Sequence, residues 1–386
     1  MDAARLARGR SGPVAVGDQA RNRSRASLGA SFAVRAAFIW PALLAILFVS
    51  IYPLLVSLYI SLSRLRLVRG GFEFRFVGLD NFYELVAGDE RSNFLGVMGS
   101  LGPVGWMVLA VGVGLLGWGL VRAWRGGASV AGMAFRLLGA LAATAAIWVA
   151  ARTLLAAGGR PGTAVVTLVY VLVGVAVQFL LGLGLAYLLV QGLPGQRLFR
   201  VVFLLPMMIT PVGVAYMFRM LTDTGKGPLQ PLFAAVGLSD FSWVNDPWGA
   251  RIAVMVGDIW QWTPFMFIIL LAALEGQDAD TVEAGMVDGA NRWQVFRYIS
   301  LPAILPVCAT VILIRLIEAF KIIDLPNILT NGGPGTATES LSLHAYIRWR
   351  TLDLGQSAAV AYSLLFIVTV AALAYVNLIW RRMAEE

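Results

Sequence analysis

Long apolar runs separated by short polar segments dominate the chain. Eight such runs occupy residues 36–62, 97–121, 131–155, 163–190, 201–220, 250–274, 301–323 and 358–380. A helix of about 20 apolar residues is long enough to cross the hydrocarbon core of a bilayer. The pattern therefore predicts an all-α polytopic membrane protein with about eight transmembrane helices.

Composition and charge agree with this prediction. The 386 residues are 59% hydrophobic and 13% charged, whereas soluble domains have about 25% charged residues. The formal net charge is +8, but the basic residues do not form one patch with interleaved aromatics, which argues against a nucleic-acid partner. Arginines precede the first apolar run and follow the last. The positive-inside rule therefore places both termini in the cytoplasm and makes the number of spans even.

Composition also divides the chain into four segments. They are a mobile basic cytoplasmic tail (1–34), the first transmembrane helix with an external loop (35–95), an inserted transmembrane hairpin (96–160) and the membrane core (161–382) with a cytoplasmic loop at 275–302. The turn of the inserted hairpin contains Arg122 and Arg125, which suits a cytoplasmic position. A re-entrant hairpin is the alternative, and it would leave the even parity unchanged.

The cytoplasmic loop contains the longest run of mixed polarity in the chain. Its apolar stripe at helical period consists of Val282, Met286, Gly289, Trp293 and Phe296. Such an amphipathic run suits a membrane surface or a groove on a partner protein. Gly289 supplies the backbone freedom for a turn between two short helices. An ordinary polar loop with an interfacial helix is the plain alternative.

The same run resembles the EAA loop of binding-protein-dependent ABC importer permeases, which has the pattern E-A-A-x-x-D-G-A followed by I-x-L-P. The residues in register with this motif are Glu283, Ala284, Gly285, Asp288, Gly289, Ala290, Ile299, Leu301 and Pro302. The resemblance implies a coupling helix that inserts its apolar stripe into an ATPase, with Glu283 paired to a basic residue there. Gly285 replaces the second alanine of the motif, so we expect the docking geometry to differ at this position.

Four further runs resemble motifs of the sugar branch of this family. They lie at residues 76–82, 205–211, 260–265 and 331–341. Together with the EAA loop, the resemblance covers about residues 35–95 and 163–380. It implies the type I ABC importer permease fold of the maltose or carbohydrate-uptake type, with the six-helix core of the family plus the inserted hairpin.

The resemblance also implies an assembly in the bacterial plasma (inner) membrane. Its other members are a second homologous permease subunit, two ATPase subunits and an extracytoplasmic solute-binding protein. This chain would form half of the translocation pathway for a sugar or sugar-like solute. The partner ATPase would bind ATP and Mg²⁺, so no cofactor is expected in this chain.

Polar residues within apolar spans are expensive to bury and need a role. The candidates are Gln178, Arg219, Asp258, Gln261, Arg315, Glu318, Lys321 and Asp324. Arg315 and Glu318 are three residues apart and can pair on one helical face. The role is either a structural ion pair between helices or a lining of the solute pathway. The residues assigned to the candidate pathway are Gln178, Trp260, Gln261, Trp262, Arg315, Glu318 and Asn327.

The sequence contains no recognisable catalytic or nucleotide site. Residues 112–117 fit G-x-G-x-x-G, but they lie inside an apolar span with no preceding strand, which favours small-residue packing. The single histidine, His344, and the single cysteine, Cys308, do not form a metal cluster, and we expect His344 to be a hydrogen-bonded loop residue. We therefore expect no enzyme activity and no metal site.

Two other classes of function remain open from the residues alone. An ATP-independent secondary transporter or channel predicts internal inverted repeats and an ion-coupling carboxylate cluster, and neither is evident. A membrane anchor or receptor leaves the proline-containing spans and the docking run unexplained. The solute also stays open between a mono- or oligosaccharide and an anionic polyol derivative such as glycerol phosphate, since Arg219 and Arg315 would suit an anion.

Overall fold

The structure is a computed structural model that describes residues 39–68, 71–126, 130–192, 194–237 and 242–383. The basic tail predicted at residues 1–34 lies outside the described residues. The chain divides into two units, of which the first ends at Tyr59 and the second begins at Ile60. The first unit contains most of the first transmembrane helix, and the second contains every later element.

Helices make up most of the described chain. In order they are α1 (Ile39–Ser61), α2 (Asp80–Val86), α3 (Arg91–Phe94), α4 (Pro103–Arg125), α5 (Val130–Ala150), α6 (Thr163–Val190), α7 (Gln196–Met208), α8 (Pro211–Leu221), α9 (Gln230–Ala235), α10 (Pro247–Glu275), α11 (Ala279–Val287), α12 (Arg292–Val295), α13 (Leu301–Ala319), α14 (Asp324–Thr330), α15 (Leu341–Arg350) and α16 (Leu354–Met383). Single π-helical turns are Leu47–Ile51, Ala151–Leu155 and Phe296–Ser300. The strands are β1 (Ser63–Val68), β2 (Gly71–Phe76), β3 (Gly96–Val97), β4 (Ser100–Leu101), β5 (Ala156–Ala157) and β6 (Arg160–Pro161).

Six helices of the described chain are long and apolar enough to cross a membrane. They are α1, α4, α6, α10, the continuous helix Arg292–Ala319, and α16 over Leu354–Asn377. The bent pair α7 and α8 passes the same test when taken together. The remaining predicted span, at residues 131–155, contains a shorter apolar helix, Gly139–Leu155, within the described chain. The eight predicted spans thus correspond to six long helices, one bent pair and one shorter apolar helix.

The predicted span at residues 201–220 is not a continuous helix. Helices α7 and α8 meet at a bend of 95°. Pro206 lies inside α7, and Ile209 and Thr210 between the two helices have extended backbones. Pro211 begins α8 and disfavours helical backbone at the residue before it. The single span predicted at these residues is therefore a bent pair of helices, because the second proline stops the helix and restarts it in a new direction.

Helices α6 and α10 form the most extensive helix pair of the second unit. Gly182 permits their close approach, because a Cβ atom at this position would lie 2.5 Å from the Met266 Cβ and 2.9 Å from the Phe267 nitrogen. Helix α13 packs against this pair, and α16 packs against α13 and completes the core. Its buried side chains include Val171, Leu189, Phe267, Leu270, Leu271, Ile304 and Phe320.

The inserted hairpin consists of α4 and α5 and is closed at its base by short strands. Strand β3 pairs with β6, and β4 pairs with β5, both antiparallel. The Arg152 side chain adds a hydrogen bond of 2.9 Å from its Nε to the carbonyl of Gly99. Because β6 directly precedes α6, these pairings connect the hairpin to the start of a core helix.

The external loop predicted after the first span contains an antiparallel hairpin of β1 and β2. Asn81, on α2, holds the start of this hairpin by donating hydrogen bonds of 2.8 and 3.0 Å to the carbonyls of Ser61 and Ser63. An ion pair between Arg64 on β1 and Glu84 on α2 adds a second connection. The hairpin was not expected from the sequence pattern.

Candidate functional site: the cytoplasmic loop and the buried polar cluster

The first half of the loop is helix α11, which has a well-defined start and end. The Asp278 side chain caps its first turn by accepting a hydrogen bond from the Asp280 nitrogen. At the other end, Gly289 has a φ of +88°, a conformation that glycine adopts without steric cost. The Ala290 nitrogen donates to the Gly285 carbonyl and the Gly289 nitrogen to the Met286 carbonyl, which together form a Schellman motif. The predicted turn at Gly289 is therefore present.

The second half of the loop is not a separate short helix. Asn291 and Gln294 form a capping box at the start of α12, with both hydrogen bonds at 2.8 Å. The chain then continues through the π-helical turn into α13, and this irregular turn lies directly before Pro302, which a regular helix interior does not accommodate. One helix thus runs from Arg292 to Ala319. The prediction of two short helices is wrong for the second, because no residue after Asn291 interrupts the helix before the membrane span.

The predicted apolar stripe faces two different environments. Phe296 is only 7% exposed, and its ring centroid lies 4.4 Å from that of Tyr187 on α6. Val282 and Met286 line a cavity of about 290 Å³ between α11 and the cytoplasmic-loop ends of α6 and α10. The most exposed apolar side chain of the loop is Val287, at 87%, which lies outside the stripe. The stripe therefore packs partly against this chain, whereas its members Met286, at 47%, and Trp293, at 56%, are exposed together with Val287.

The residues of the EAA-like motif also divide into exposed and partly buried positions. The exposed members are Glu283, Ala284, Asp288, Gly289 and Pro302, whereas Gly285, Ala290, Ile299 and Leu301 are partly buried. A Cβ atom on Gly285 would lie 2.6 Å from the Ile299 Cδ1. Because Gly285 has no side chain, the Ile299 side chain packs directly against α11. An alanine at this position, as in the family motif, would require Ile299 to move.

A buried polar cluster lies where three core helices meet. Gln178 on α6 donates from Nε2 to the Asp258 Oδ2 on α10 at 2.8 Å, and its Oε1 accepts from the Arg315 Nε on α13 at 2.8 Å. Arg315 also donates from Nη2 to the Asp258 Oδ2 at 2.5 Å, although its side chain is only 2% exposed. The three side chains form a closed triangle in which each contacts the other two.

The aromatic and amide residues next to this cluster have structural partners as well. The Arg315 guanidinium lies 4.9 Å from the centre of the Trp262 ring. Gln261 donates at 3.3 Å to the Ile209 carbonyl, which the break between α7 and α8 exposes. A small cavity of about 120 Å³ opens beside these groups, and its lining includes Asp258, Gln261, Trp262, Arg315, Glu318 and Lys321. Four of the predicted pathway residues thus line one cavity.

The expected pair of Arg315 and Glu318 does not form, and the other three predicted pathway residues lie outside this cavity. Glu318 pairs with Lys321 at 2.7 Å and not with Arg315, because the Arg315 side chain turns inward to Asp258. Trp260 contacts Phe218 at 5.8 Å between ring centroids, and Asn327 lies on α14. Gln178 lies in the buried triangle. Asp258 was among the polar candidates, but its helix spacing gave no sign that it, and not Glu318, is the partner of Arg315.

The loop at residues 331–341 connects the core helices on the side opposite to the cytoplasmic loop. Arg251 on α10 donates to the Ala337 carbonyl at 2.6 Å, and the Tyr170 hydroxyl on α6 donates to the Thr338 carbonyl at 3.3 Å. His344 is buried on α15, and its Nδ1 lies 2.5 Å from the Glu339 Oε1. The expectation of a hydrogen-bonded histidine is confirmed, although the residue lies on a helix.

Comparison with known proteins identifies the family to which the chain belongs. The family described as binding-protein-dependent transport system inner membrane component matches residues 178–384, which include the buried cluster and the whole cytoplasmic loop. The chain belongs to this family. As an inner membrane component of such a transport system, it is a polytopic membrane protein, and its EAA-like loop and the core helices after α6 lie within the matched residues. The inserted hairpin lies outside them.

Individual relatives agree with the family. A probable ABC transporter permease protein y4oQ from Sinorhizobium fredii is 37% identical over 217 residues, which cover 56% of this chain and 69% of the relative. The trehalose/maltose transport system permease protein MalF from Thermococcus litoralis is 32% identical over 196 residues, covering 51% and 66%. A bacterial ABC transporter that imports alginate has a similar fold, with a TM-score of 0.52, 22% identity, and coverage of 56% of this chain and 77% of that chain.

Proposed function

We propose that the chain is the permease subunit of a sugar ABC importer and forms half of its translocation pathway. The observation that carries this proposal is the cytoplasmic loop, in which a capped helix ends at a Schellman glycine and exposes Val287 to the solvent. Met286 and Trp293 of the same loop are also exposed, and several exposed apolar side chains close together favour contact with a partner. In this proposal the partner is a cytoplasmic ATPase subunit, which binds ATP and Mg²⁺ and performs the hydrolysis, while this chain has no catalytic role.

The path of the chain supports a mechanical role for the loop. Because the helix is continuous from Arg292 to Ala319, a displacement of the docked loop acts directly on α13. Helix α13 carries Arg315, which is hydrogen-bonded to α6 and α10. Movement of the ATPase subunits would therefore move core helices as rigid bodies, as in other domain-rotation switches.

The charges near the small cavity favour an uncharged solute. Arg315 is already bonded to Asp258 and Gln178, and Arg219 donates to the Ile328 carbonyl at 3.1 Å. The cavity edge carries carboxylates at Glu318 and Asp324 against one ammonium at Lys321. An anion would meet more negative than positive groups there, so a neutral sugar is preferred to glycerol phosphate. The names of two relatives, which transport trehalose or maltose, support the same choice.

The proposed assembly contains a second homologous permease, two ATPase subunits and an extracytoplasmic solute-binding protein. In this proposal both termini and the loop at residues 275–302 lie in the cytoplasm, and the arginines that flank the first and last apolar runs support that orientation. A solved bacterial alginate ABC transporter forms a complex with an alginate-pentasaccharide-bound periplasmic protein, and this complex supports the proposed kind of partner.

The turn at Gly289 offers a direct test of coupling. A Cβ atom at this position would meet nothing within 4 Å, so only the backbone conformation constrains the residue. Gly289→Val places a β-branched residue at positive φ, which L residues disfavour by about 1–2 kcal/mol. Gly289→Asn is the matched control, because asparagine tolerates this conformation. In the assembled complex, we expect Gly289→Val to abolish solute-stimulated ATP hydrolysis and Gly289→Asn to retain it.

Two results would contradict the proposal. One is normal stimulation in the Gly289→Val complex, which would remove the loop from the coupling pathway. The other is solute transport by this chain alone in vesicles that contain no ATPase, which would favour an ATP-independent transporter. Membrane insertion of both variants is checked by the yield of the folded chain after size-exclusion chromatography.

A further inference from the structure

An apolar groove lies beside the start of α16, at the end of the molecule opposite to the cytoplasmic loop. Its volume is about 490 Å³, and its lining residues include Leu65 on β1, Phe72 and Phe74 on β2, and Trp349, Leu352 and Leu354. Phe72 is 59% exposed and Trp349 is 56% exposed. The groove is therefore open, although nearly all of its lining is apolar.

The hairpin that forms one wall of the groove is amphipathic. Along β2 the residues Phe72 and Phe74 alternate with Glu73 and Arg75, so the aromatic rings lie on one face of the hairpin. Leu65 is the cross-strand neighbour of Phe74 on that face. A hairpin with one apolar face beside the first residue of a membrane-spanning helix lies at the boundary between water and lipid.

The opposite wall contains an unusual backbone at Leu352. This residue follows α15 with a φ of +63°, and the Asp353 nitrogen donates to the Arg348 carbonyl across it, as in a Schellman motif. Glycine is the usual residue at this position, because a bulky side chain is sterically unfavourable there. Leu352 is nevertheless 52% exposed and lines the groove. Backbone strain of this kind persists mainly where the side chain has a function.

We propose that this groove binds one phospholipid of the leaflet on the α15 side, with an acyl chain between the hairpin and Leu352. The position at the end of an apolar span supports a lipid, and so does a lining that offers aromatic and aliphatic surface. Arg350, at the edge of the groove, is the charged residue among the described lining residues and suits a lipid phosphate.

Retention of lipid by the full-length chain tests the proposal. The chain is reconstituted in nanodiscs of palmitoyl-oleoyl phosphatidylethanolamine and phosphatidylglycerol, transferred to detergent and examined by native mass spectrometry. We expect the wild type to retain one phospholipid. In Leu352→Gly, the fraction of the chain that carries a phospholipid should be at least fivefold lower. Leu352→Gly also removes the backbone strain, so its melting temperature should not fall. Leu365→Ala, at an exposed leucine further along α16, is the control and should retain lipid as the wild type does.

A second experiment identifies the occupant in the membrane itself. Phe72 is replaced by the photo-reactive amino acid p-benzoylphenylalanine, and whole membranes are irradiated. The proposal expects adducts with the mass of a phospholipid. Adducts with another polypeptide would overturn it and identify a protein-docking surface. Equal lipid retention by the wild type and Leu352→Gly, without phospholipid adducts at residue 72, would overturn it as well.

Discussion

The buried polar cluster and the cytoplasmic loop differ in how far each is complete within this chain. In the cluster, Gln178, Asp258 and Arg315 satisfy one another across three helices. In the loop, the backbone is fully capped, but Val287 is left exposed. A closed polar triangle needs no other subunit, whereas a rigid helix with an exposed apolar residue is suited to a partner. In the proposed function, the cluster therefore serves the stability of this chain, and the loop serves its coupling to the ATPase.

The largest expected effect is the loss of one member of the triangle. Asp258→Leu leaves the Arg315 guanidinium buried with only Gln178 and Trp262 beside it. Removing one partner of a buried ion pair costs about 3–5 kcal/mol. We expect the variant to unfold well below the wild type in detergent, as measured by circular dichroism during heating.

The double variant Asp258→Leu with Arg315→Met separates the charge from the packing. Replacing a whole buried ion pair by apolar residues is often close to neutral, so the double variant should recover most of the stability. If it is no more stable than Asp258→Leu, the triangle contributes through shape and not through charge, and the comparison with the loop fails.

A smaller effect is expected at the α6–α10 contact. Gly182→Ala places a methyl group against the Met266 Cβ and the Phe267 backbone, which cannot move as a flexible side chain can. Overpacking of this kind costs about 1–3 kcal/mol. Gly184→Ala is the matched control on the same helix, because a Cβ atom there would meet nothing within 4 Å. Thermal unfolding should separate the two variants, and equal melting temperatures would contradict the close approach of the two helices.

Much of the fold could be predicted from local patterns. Apolar runs near the bilayer length indicated the long helices, and the glycine between two polar runs indicated the turn at Gly289. The break between α7 and α8 was missed because two prolines within six residues are compatible with a kinked helix or with two helices, and the backbone at Ile209 decides between them. The β1–β2 hairpin was missed because a short alternating pattern beside a long apolar run is a weak signal.

The candidate site was predictable only in part, for a different reason. Motif spacing identified the cytoplasmic loop, because its residues are close in the sequence. The partner of Arg315 lies 57 residues away on another helix, and periodicity within α13 indicated only Glu318. The apolar stripe of the loop could be predicted, but its partial burial could not, because helical period shows which residues share a face but not which of them the rest of the chain covers. Phe296 is covered by Tyr187 on α6, a contact that no local pattern contains.

The smallest effect on stability, and the most direct test of the loop, is expected at Val287. Exchange of this exposed residue for glutamine should change the free energy of unfolding by less than about 0.5 kcal/mol. Ala279→Gln, at the exposed first residue of the same helix, is the control. The decisive measurement is the affinity of the cognate ATPase subunit for the full-length chain in nanodiscs. We predict that Val287→Gln weakens this affinity about tenfold, or about 1.4 kcal/mol, while Ala279→Gln leaves it unchanged. Wild-type affinity in the Val287→Gln variant would contradict the assignment of the loop as the ATPase contact.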